Sequence, residues 1–162
     1  MHRAWPWFGL SAAIVILDQI TKWAVLGYFA NRAPREEITG FLNLVLAYNK
    51  GAAFSMLADA PGWQTPLLIG FALAAAAIVT VLILRNLQKR LFCLGLALIL
   101  GGALGNLVDR VRFGHVVDFL DFHALGWHWP AFNVADSAIT VGAVLLILDG
   151  FRKNEGRAGA AS

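Results

Sequence analysis

The composition of this chain is that of a membrane protein. Of its 162 residues, 59% are hydrophobic and only 14% are charged, whereas soluble domains are typically about 45–50% apolar and about 25% charged. The net charge of +3 comes from scattered cations, several of them beside apolar segments, where Lys and Arg meet anionic lipid. We therefore expect no nucleic-acid partner. The single cysteine, Cys93, excludes an intramolecular disulfide and any multi-cysteine metal site.

Four apolar segments are long enough to cross a bilayer, which requires about 20 helical residues. They predict transmembrane helices at about residues 5–29, 66–84, 91–108 and 131–148. The first is too long to be the apolar part of a cleavable signal peptide, and three more follow it. We expect an all-α membrane protein with a single domain over residues 1–154. The small, polar residues 155–162 predict a flexible tail.

The connections between these segments differ in charge. The short connection at 85–90, "RNLQKR", and the C-terminal tail are both basic, which predicts that both termini and this connection are cytoplasmic. The connections at 30–65 and 113–130 then face outward. The first alternates apolar and polar residues around Gly, which indicates short strands. The second is aromatic, as is typical of chain in the headgroup layer. We therefore expect a small extracytoplasmic subdomain of strands and loops.

Two polar motifs lie in the first half of the chain. In "LDQITKW", Asp18 and Lys22 are four residues apart and can pair on one helix face. The pair either tethers the helix near the outer interface or contacts a lipid headgroup or substrate. In "YNKGAAFS", Gly51 allows close approach of a backbone, and Asn49 can both donate and accept hydrogen bonds. A plain turn would explain this second motif equally well.

The stretch "GGALGNLVDRVRFG" at 101–114 combines a small-residue face with polar groups. Its glycines allow helices to pack closely in lipid. Asn106, Asp109 and Arg110 follow at spacings that place them on one helix face. Asp109 and Arg110 form either an ion pair at the helix end or a site in which the Arg110 fork holds a loop or a carboxylate.

Two acids in apolar surroundings, Asp118 and Asp136, are the strongest candidates for chemistry. Alone, Asp118 could be a loop carboxylate and Asp136 a capping or interfacial acid one turn after Asn133, a candidate N-cap. Both, however, are predicted at the same outer level of the membrane. Neighbouring carboxyl groups cannot both ionise cheaply, so one serves as acid and the other as base. Such a pair can hydrolyse a bond with an activated water.

Three other chemistries compete with the acid pair. A metal site could use the imidazole and carboxylate groups of His115, Asp118, Asp121, His123 and His128. The spacing of those histidines does not match the zinc-protease helix motifs, and no serine lies in a G-x-S-x-G elbow. Intramembrane acids also relay protons in transporters, but four spans without inverted repeats are unlike many of them. We expect no metal and no cofactor.

Taken in order, five motifs of this chain resemble the lipoprotein signal peptidases, or type II signal peptidases, of bacteria. The motifs are "DQITK", "NKGAAFS", "GGALGNLVDR", "VVDFLDF" and "FNVADSAI". The resemblance extends from about residue 18 to 149, and their order and spacing both match.

This resemblance implies an aspartyl endopeptidase of the inner membrane, with four helices, cytoplasmic termini and its active site towards the periplasm. It implies cleavage of the signal peptide from diacylglyceryl-modified prolipoproteins, just before the lipidated cysteine. The catalytic pair maps onto Asp118 and Asp136. The positions implied to bind substrate or support the site are Asp18, Lys22, Asn49, Gly51, Asn106, Asp109, Arg110 and Asn133. The implied partners are the prolipoprotein, membrane lipid and a globomycin-type inhibitor, and we expect a monomer.

Overall fold

The fold is a four-helix bundle with a small antiparallel sheet at one end, as the composition and spans predict. The computed structural model describes residues 3–51 and 62–158, with side chains to residue 152. Its elements are α1 (Trp5–Tyr28), β1 (Arg35–Thr39), β2 (Leu42–Asn49), α2 (Gln64–Arg85), α3 (Arg90–Phe113), β3 (Val116–Ala124), β4 (Trp127–His128) and α4 (Val134–Ala158). All four helices contain a stretch that is long and apolar enough to cross a membrane.

The helix ends follow local chemistry. Pro6 stands in the first turn of α1, where its missing N–H and fixed φ are compatible with a helix. Gly114 ends α3 in the left-handed conformation at φ 75°, and its N–H donates to the carbonyl of Arg110. The predicted span, about 91–108, lies within this helix, which continues through Asp109 and Arg110 until a glycine permits the reversal.

The fourth helix contains most of its predicted span, 131–148. It begins at Val134 rather than 131, because Asn133 provides the N-cap. It extends to Ala158, past the predicted domain boundary at 154. The flexibility of the tail stays a prediction, and residues 159–162 lie outside the described residues.

Helix α3 is the central helix, and it packs against each of the other three. Its glycines make this close packing possible. A Cβ on Gly102 would lie 2.3 Å from the carbonyl oxygen of Ala135 in α4, and one on Gly101 would lie 2.8 Å from the carbonyl oxygen of Ser11 in α1. The predicted small-residue face is therefore the surface on which α1 and α4 approach α3.

The four strands form one antiparallel arrangement in the order β1-β2-β3-β4. The strands predicted in the first outer connection are confirmed. The segment around Asp118, for which a loop carboxylate was one of the two interpretations, is a strand, β3. Its residues 116–119 are all buried, so the sequence lacks the alternation that marks a strand with one face in water. In the register of β2 and β3, Ala47 pairs with Asp118.

The bundle has a polar end and an apolar end. Polar residues from the second half of α1 and of α3 meet the start of α4 beside the sheet. The core at the opposite end is apolar, with Ile83, Leu96 and Leu100 buried against the first turn of α1 and against Leu146 of α4. The candidate functional residues consequently all gather at the sheet end.

Candidate active site

A buried ion cluster underlies the sheet end of the bundle. The Lys22 ammonium lies 2.8 Å from Asp18 Oδ2 and 2.8 Å from Asp109 Oδ2, and all three side chains are at most 2% exposed. Asp18 Oδ1 also accepts the backbone N–H of Ala135 at 3.0 Å. The predicted Asp18–Lys22 pair is confirmed, and it lies inside the bundle, where it connects α1, α3 and α4.

Asp109 and Arg110 do not form the ion pair that their adjacency suggested. Asp109 pairs with Lys22 and accepts the backbone N–H of Val117 at 3.1 Å. Arg110 donates from Nη2 to the carbonyl oxygen of Gly51 at 2.9 Å. Adjacent helical residues point in directions about 100° apart, so they do not face each other. The structure therefore favours the alternative in which Arg110 holds a loop.

The two candidate catalytic acids meet around Asn133. Asp118 Oδ1 accepts Nδ2 of Asn133 at 2.7 Å, and Asp118 Oδ2 accepts Nδ2 of Asn49 at 3.2 Å. Asp136 Oδ2 accepts the backbone N–H of Asn133 at 3.3 Å, and its Oδ1 accepts Nδ2 of Asn106 at 2.8 Å. Residues from β2, β3, α3 and α4 thus bring both carboxyl groups to one place, as predicted from their common level.

Asn133 has two roles at this place. Its Oδ1 accepts the backbone N–H of Asp136 at 2.9 Å, while Asp136 accepts the backbone N–H of Asn133. This reciprocal pair is a capping box, in which the third helical residue bonds back to the N-cap. The predicted N-cap is confirmed. Because the Nδ2 group of the same residue donates to Asp118, the start of α4 and the position of Asp118 are fixed together.

The two acids have no cationic partner at contact distance among the described residues. Asp118 is 2% exposed. The pKa of Asp118 is raised from 3.8 to about 7, mainly by burial and to a smaller extent by the negative charge of Asp136. The hydrogen bonds from Asn49 and Asn133 act in the opposite direction but are weaker. A buried carboxyl beside another carboxyl keeps its proton at a pH where ordinary aspartates are ionised. Near neutral pH the site can therefore contain a proton donor and a proton acceptor together.

A groove of about 670 Å³ opens beside the acids. Its polar lining includes Asn49, Asn106, Arg110 and Asp136. Its apolar lining comes from four parts of the chain: Leu68 of α2, Val116 of β3, Trp129 to Phe132 before α4, and Ile139 and Val141 in α4. Side chains of this kind can hold an apolar molecule while a few polar groups orient it.

The histidine-rich segment is separate from this groove lining. His128 Nδ1 lies 2.9 Å from Asp121 Oδ1, and Asp121 Oδ2 also accepts Nδ2 of Asn43 at 2.8 Å. His123 stacks on His128 with ring centroids 5.2 Å apart, whereas His115 meets the ring of Tyr48 edge-on. Within residues 3–51 and 62–152, no three His, Cys, Asp or Glu side chains are grouped so that they could hold a metal ion.

Sequence reasoning missed several contributors. Gln19 donates to Asp109 Oδ1 at 2.8 Å and to the carbonyl oxygen of Gly105 at 3.3 Å. It stands inside the quoted motif "DQITK", and a polar residue in an apolar span was the available signal. Trp129 of the groove wall had no signal beyond its aromatic character. Part of the motif "NKGAAFS" was predicted to bind substrate, but residues 52–61 lie outside the described residues.

Fold and site together define a multi-pass membrane protein with a polar, acid-containing groove at one end of its helices. Two solved structures share this fold. Both are bacterial membrane enzymes determined by the in meso method, one at 2.3 Å and one at 1.9 Å resolution. The first has a TM-score of 0.81 and 27% identity, covering 93% of this chain and 90% of that one. The second has a TM-score of 0.76 and 28% identity, covering 91% and 96%.

Sequence comparison identifies the family. The family model for signal peptidase (SPase) II matches residues 10–152. The lipoprotein signal peptidase of Ralstonia nicotianae is 58% identical over 94% of this chain and 87% of its own length. That of Paraburkholderia phytofirmans is 54% identical over 93% and 87%. This chain belongs to the signal peptidase II family, a family of membrane peptidases, and the resemblance seen in its five motifs is confirmed.

Proposed function

We propose that this protein is an aspartyl endopeptidase in which Asp118 and Asp136 activate a water molecule between them. The observation that carries the proposal is the convergence of both carboxyl groups on Asn133, at 2.7 and 3.3 Å, beside a groove that Asp136 lines. Hydrolysis by water needs a base and an acid at one point, and this pair supplies both without a covalent intermediate.

The raised pKa of Asp118, about 7, supports one shared proton on the pair near neutral pH. We place that proton on Asp118 and the negative charge on Asp136, because Asp136 lines the groove in which water and substrate would meet. Asp136 then removes a proton from water as the oxygen attacks the scissile carbonyl carbon. Asp118 donates its proton to the carbonyl oxygen. When the tetrahedral intermediate collapses, the C–N bond breaks, the leaving nitrogen takes the proton from Asp136, and Asp118 takes back the proton of one hydroxyl, which restores the starting protonation of the pair. Asn106 and Asn133 hold the two carboxyl groups in position throughout.

The proposed substrate is a prolipoprotein whose cysteine carries diacylglycerol, cleaved just before that cysteine. The name shared by the relatives, lipoprotein signal peptidase, supports this class. The groove supports it as well, because its wall includes Ile139 and Val141 of α4 and Leu68 of α2. Acyl chains and an apolar signal peptide could enter such a groove from lipid, and a scissile peptide could reach Asp136 at its polar part.

We also propose that both termini are cytoplasmic and that the site lies towards the periplasm of a bacterial inner membrane. The basic residues Arg85, Lys89 and Arg90 support this orientation, because they lie at the α2–α3 turn, away from the sheet end. A globomycin-type inhibitor would bind the same groove in competition with substrate. Membrane lipid would surround a monomer.

The test is cleavage of purified diacylglyceryl prolipoprotein by the wild-type enzyme and by Asp118→Asn and Asp136→Asn. Each isosteric change removes proton transfer without changing shape, so each should lower kcat by about 10³-fold or more while thermal unfolding stays cooperative. Asp149→Asn, a change at the far end of α4, is the matched control and should cleave normally.

Two further arms separate the alternatives. Prolipoprotein without diacylglycerol should be cleaved poorly, which tests the substrate class. EDTA should leave the rate unchanged, whereas inhibition that zinc reverses would indicate a metallopeptidase. Substantial activity in both Asp→Asn variants would refute the acid pair.

A further inference from the structure

The turn between β3 and β4 combines exposed apolar side chains with an absence of charge. Leu125 is fully exposed, and Trp127 is 62% exposed. Between residues 122 and 135 the sequence contains no Lys, Arg, Asp or Glu. By contrast, the opposite edge strand β1 carries Arg35, Glu36 and Glu37 and is exposed throughout. The two edges of one small sheet are therefore suited to different surroundings.

Leu125 is unfavourable in two respects if it faces water. Its φ is +52°, and Gly126 follows at +82°. A non-glycine residue in the left-handed region costs roughly 1–2 kcal/mol, and Asn or Gly is the usual choice in such a hairpin turn. Within the described chain its side chain gains nothing in return, because it remains fully exposed. A stabilising contact for this leucine must come from outside the described residues.

The base of this hairpin lies at the level of the membrane-spanning helices. Trp129, one residue after β4, lines the same groove as Val141 of α4. Val141 is seven residues into the span Val134–Arg152, about 10 Å along the helix at 1.5 Å per residue, and it is 51% exposed on the helix surface. The exposed face of α4 is thus continuous, through the groove, with the aromatic residues of the hairpin.

The hairpin is also tied firmly to the strand that carries Asp118. His128 of β4 contacts Asp121 of β3 at 2.9 Å, and Asp121 is held by Asn43 of β2 at 2.8 Å. Burial opposes ionisation of Asp121, but the hydrogen bonds from Asn43 and His128 prevail and lower its pKa. Asp121 is three residues from Asp118 on one strand. The hairpin is therefore connected, through Asp121, to the strand that positions Asp118.

We infer that Leu125 and Trp127 insert into the lipid headgroup layer on the active-site side of the membrane and set the depth of Asp118 relative to the bilayer. Trp favours this layer because its ring is apolar while its N–H can be hydrated. The absence of charge around the tip removes the main cost of partial insertion. This surface adds to the proposed function, since a lipid-anchored substrate presents its scissile bond at a fixed depth.

The depth of the tip can be measured directly. Nitroxide spin labels at Leu125→Cys and at Trp127→Cys are compared with one at Glu37→Cys on β1, in nanodiscs of phosphatidylethanolamine and phosphatidylglycerol. Cys93, the single native thiol, is fully buried, so unsubstituted protein gives the background. At both tip positions collisions with oxygen should exceed those with a water-soluble nickel chelate, and at residue 37 the order should reverse.

Two results would overturn the inference. Tip labels as accessible to the nickel chelate as the label at residue 37 would place the hairpin in water. Tip labels protected from both reagents would indicate a protein contact instead of lipid. The accessibility of the spin labels does not depend on catalysis, so this experiment can fail or succeed independently of the proposed peptidase activity.

A kinetic arm tests the depth-setting role. Leu125→Asn suits the left-handed conformation and removes the apolar side chain, so folding should be preserved. In nanodiscs it should raise KM for lipidated substrate several-fold with little change in kcat, and in detergent micelles it should match the wild-type enzyme. Glu37→Gln is the control and should match the wild-type enzyme in both. An unchanged KM in nanodiscs would contradict the depth-setting role.

Discussion

Two clusters of carboxyl groups lie at the same end of this bundle, and they are held in opposite ways. Asp18 and Asp109 share the buried ammonium of Lys22 at 2.8 Å each. Asp118 and Asp136 receive only amide hydrogen bonds at contact distance among the described residues. A carboxylate with a buried cation stays ionised, whereas one with neutral donors can gain a proton at moderate pH.

This difference indicates a structural role for the Lys22 cluster and a chemical role for the pair of Asp118 and Asp136. The Lys22 cluster joins α1, α3 and the start of α4 and is not part of the groove lining. The Asp118–Asp136 pair lies beside a groove and can exchange protons. Asn106 connects the two clusters, since its Oδ1 accepts from Lys22 at 3.1 Å and its Nδ2 donates to Asp136 at 2.8 Å. The fixed charges thereby help to orient the group that reacts.

Lys22→Met should have the largest effect on stability, because it leaves Asp18 and Asp109 buried without a counter-charge. Removing one partner of a buried ion pair costs about 3–5 kcal/mol. We expect a large fall in the thermal unfolding midpoint in detergent, measured by fluorescence. Combining Lys22→Met with Asp109→Asn should recover part of the loss. A midpoint unchanged by Lys22→Met alone would show that this cluster is not structural.

The second prediction concerns the pH dependence of the chemical pair. Because the pKa of Asp118 is raised from 3.8 to about 7, the folded protein binds this proton more tightly than the unfolded chain. Its contribution to stability is complete below pH 3.8 and is lost as the pH rises through about 7. The same loss should produce the alkaline limb of the kcat profile, since Asp118 then lacks the proton to donate.

The measurement compares unfolding midpoints of the wild-type enzyme and Asp118→Asn from about pH 4 to about pH 8. The stability of the wild-type enzyme relative to the variant should fall across this range and level off above it. A constant difference would show that Asp118 titrates like an ordinary aspartate, and the contrast between the two clusters would disappear.

Gly105→Ala tests how closely the ion cluster packs. A Cβ at this position would lie 2.7 Å from Asp18 Oδ2, so Asp18 must move away from Lys22 or α3 from α1. Overpacking of this kind costs about 1–3 kcal/mol. Gly70→Ala in α2 is the matched control, because its added Cβ meets no atom within 4 Å. Equal unfolding midpoints for the two variants would contradict the close packing.

The smallest expected effect on stability separates the two roles of Asn133. Asn133→Ser retains an oxygen that can cap α4 but loses the donor to Asp118, whereas Asn133→Ala loses both. Loss of an N-cap typically costs about 1 kcal/mol, so Ala should unfold at a lower temperature than Ser. Both should cleave substrate much more slowly than the wild-type enzyme. Normal activity in Asn133→Ser would mean that Asp118 needs no orientation from this residue.

Much of this protein was predictable because a bilayer constrains sequence strongly. A helix that crosses it needs a long apolar run, so composition alone indicated four spans, and α1 and α2 match their predicted bounds within two residues. Ionisable residues in such runs are costly, so Asp18, Lys22, Asp109 and Asp136 could be predicted as structural or functional polar groups from the sequence. The sequence motifs also carried the family resemblance, and the family comparisons confirm it.

The tertiary structure decided which partner each charged group has. Because Asp109 and Arg110 are adjacent in sequence, an ion pair between them was one of the two interpretations. The helix directs these side chains apart, and Asp109 instead pairs with Lys22 of another helix. The strand that carries Asp118 was not located from the sequence, because its residues 116–119 are all buried and do not alternate between apolar and polar. The sequence determined which groups are too polar for the membrane, because burial cost belongs to the residue itself. Only the folded chain determined how that cost is offset, because hydrogen bonds and ion pairs depend on distances between residues far apart in sequence.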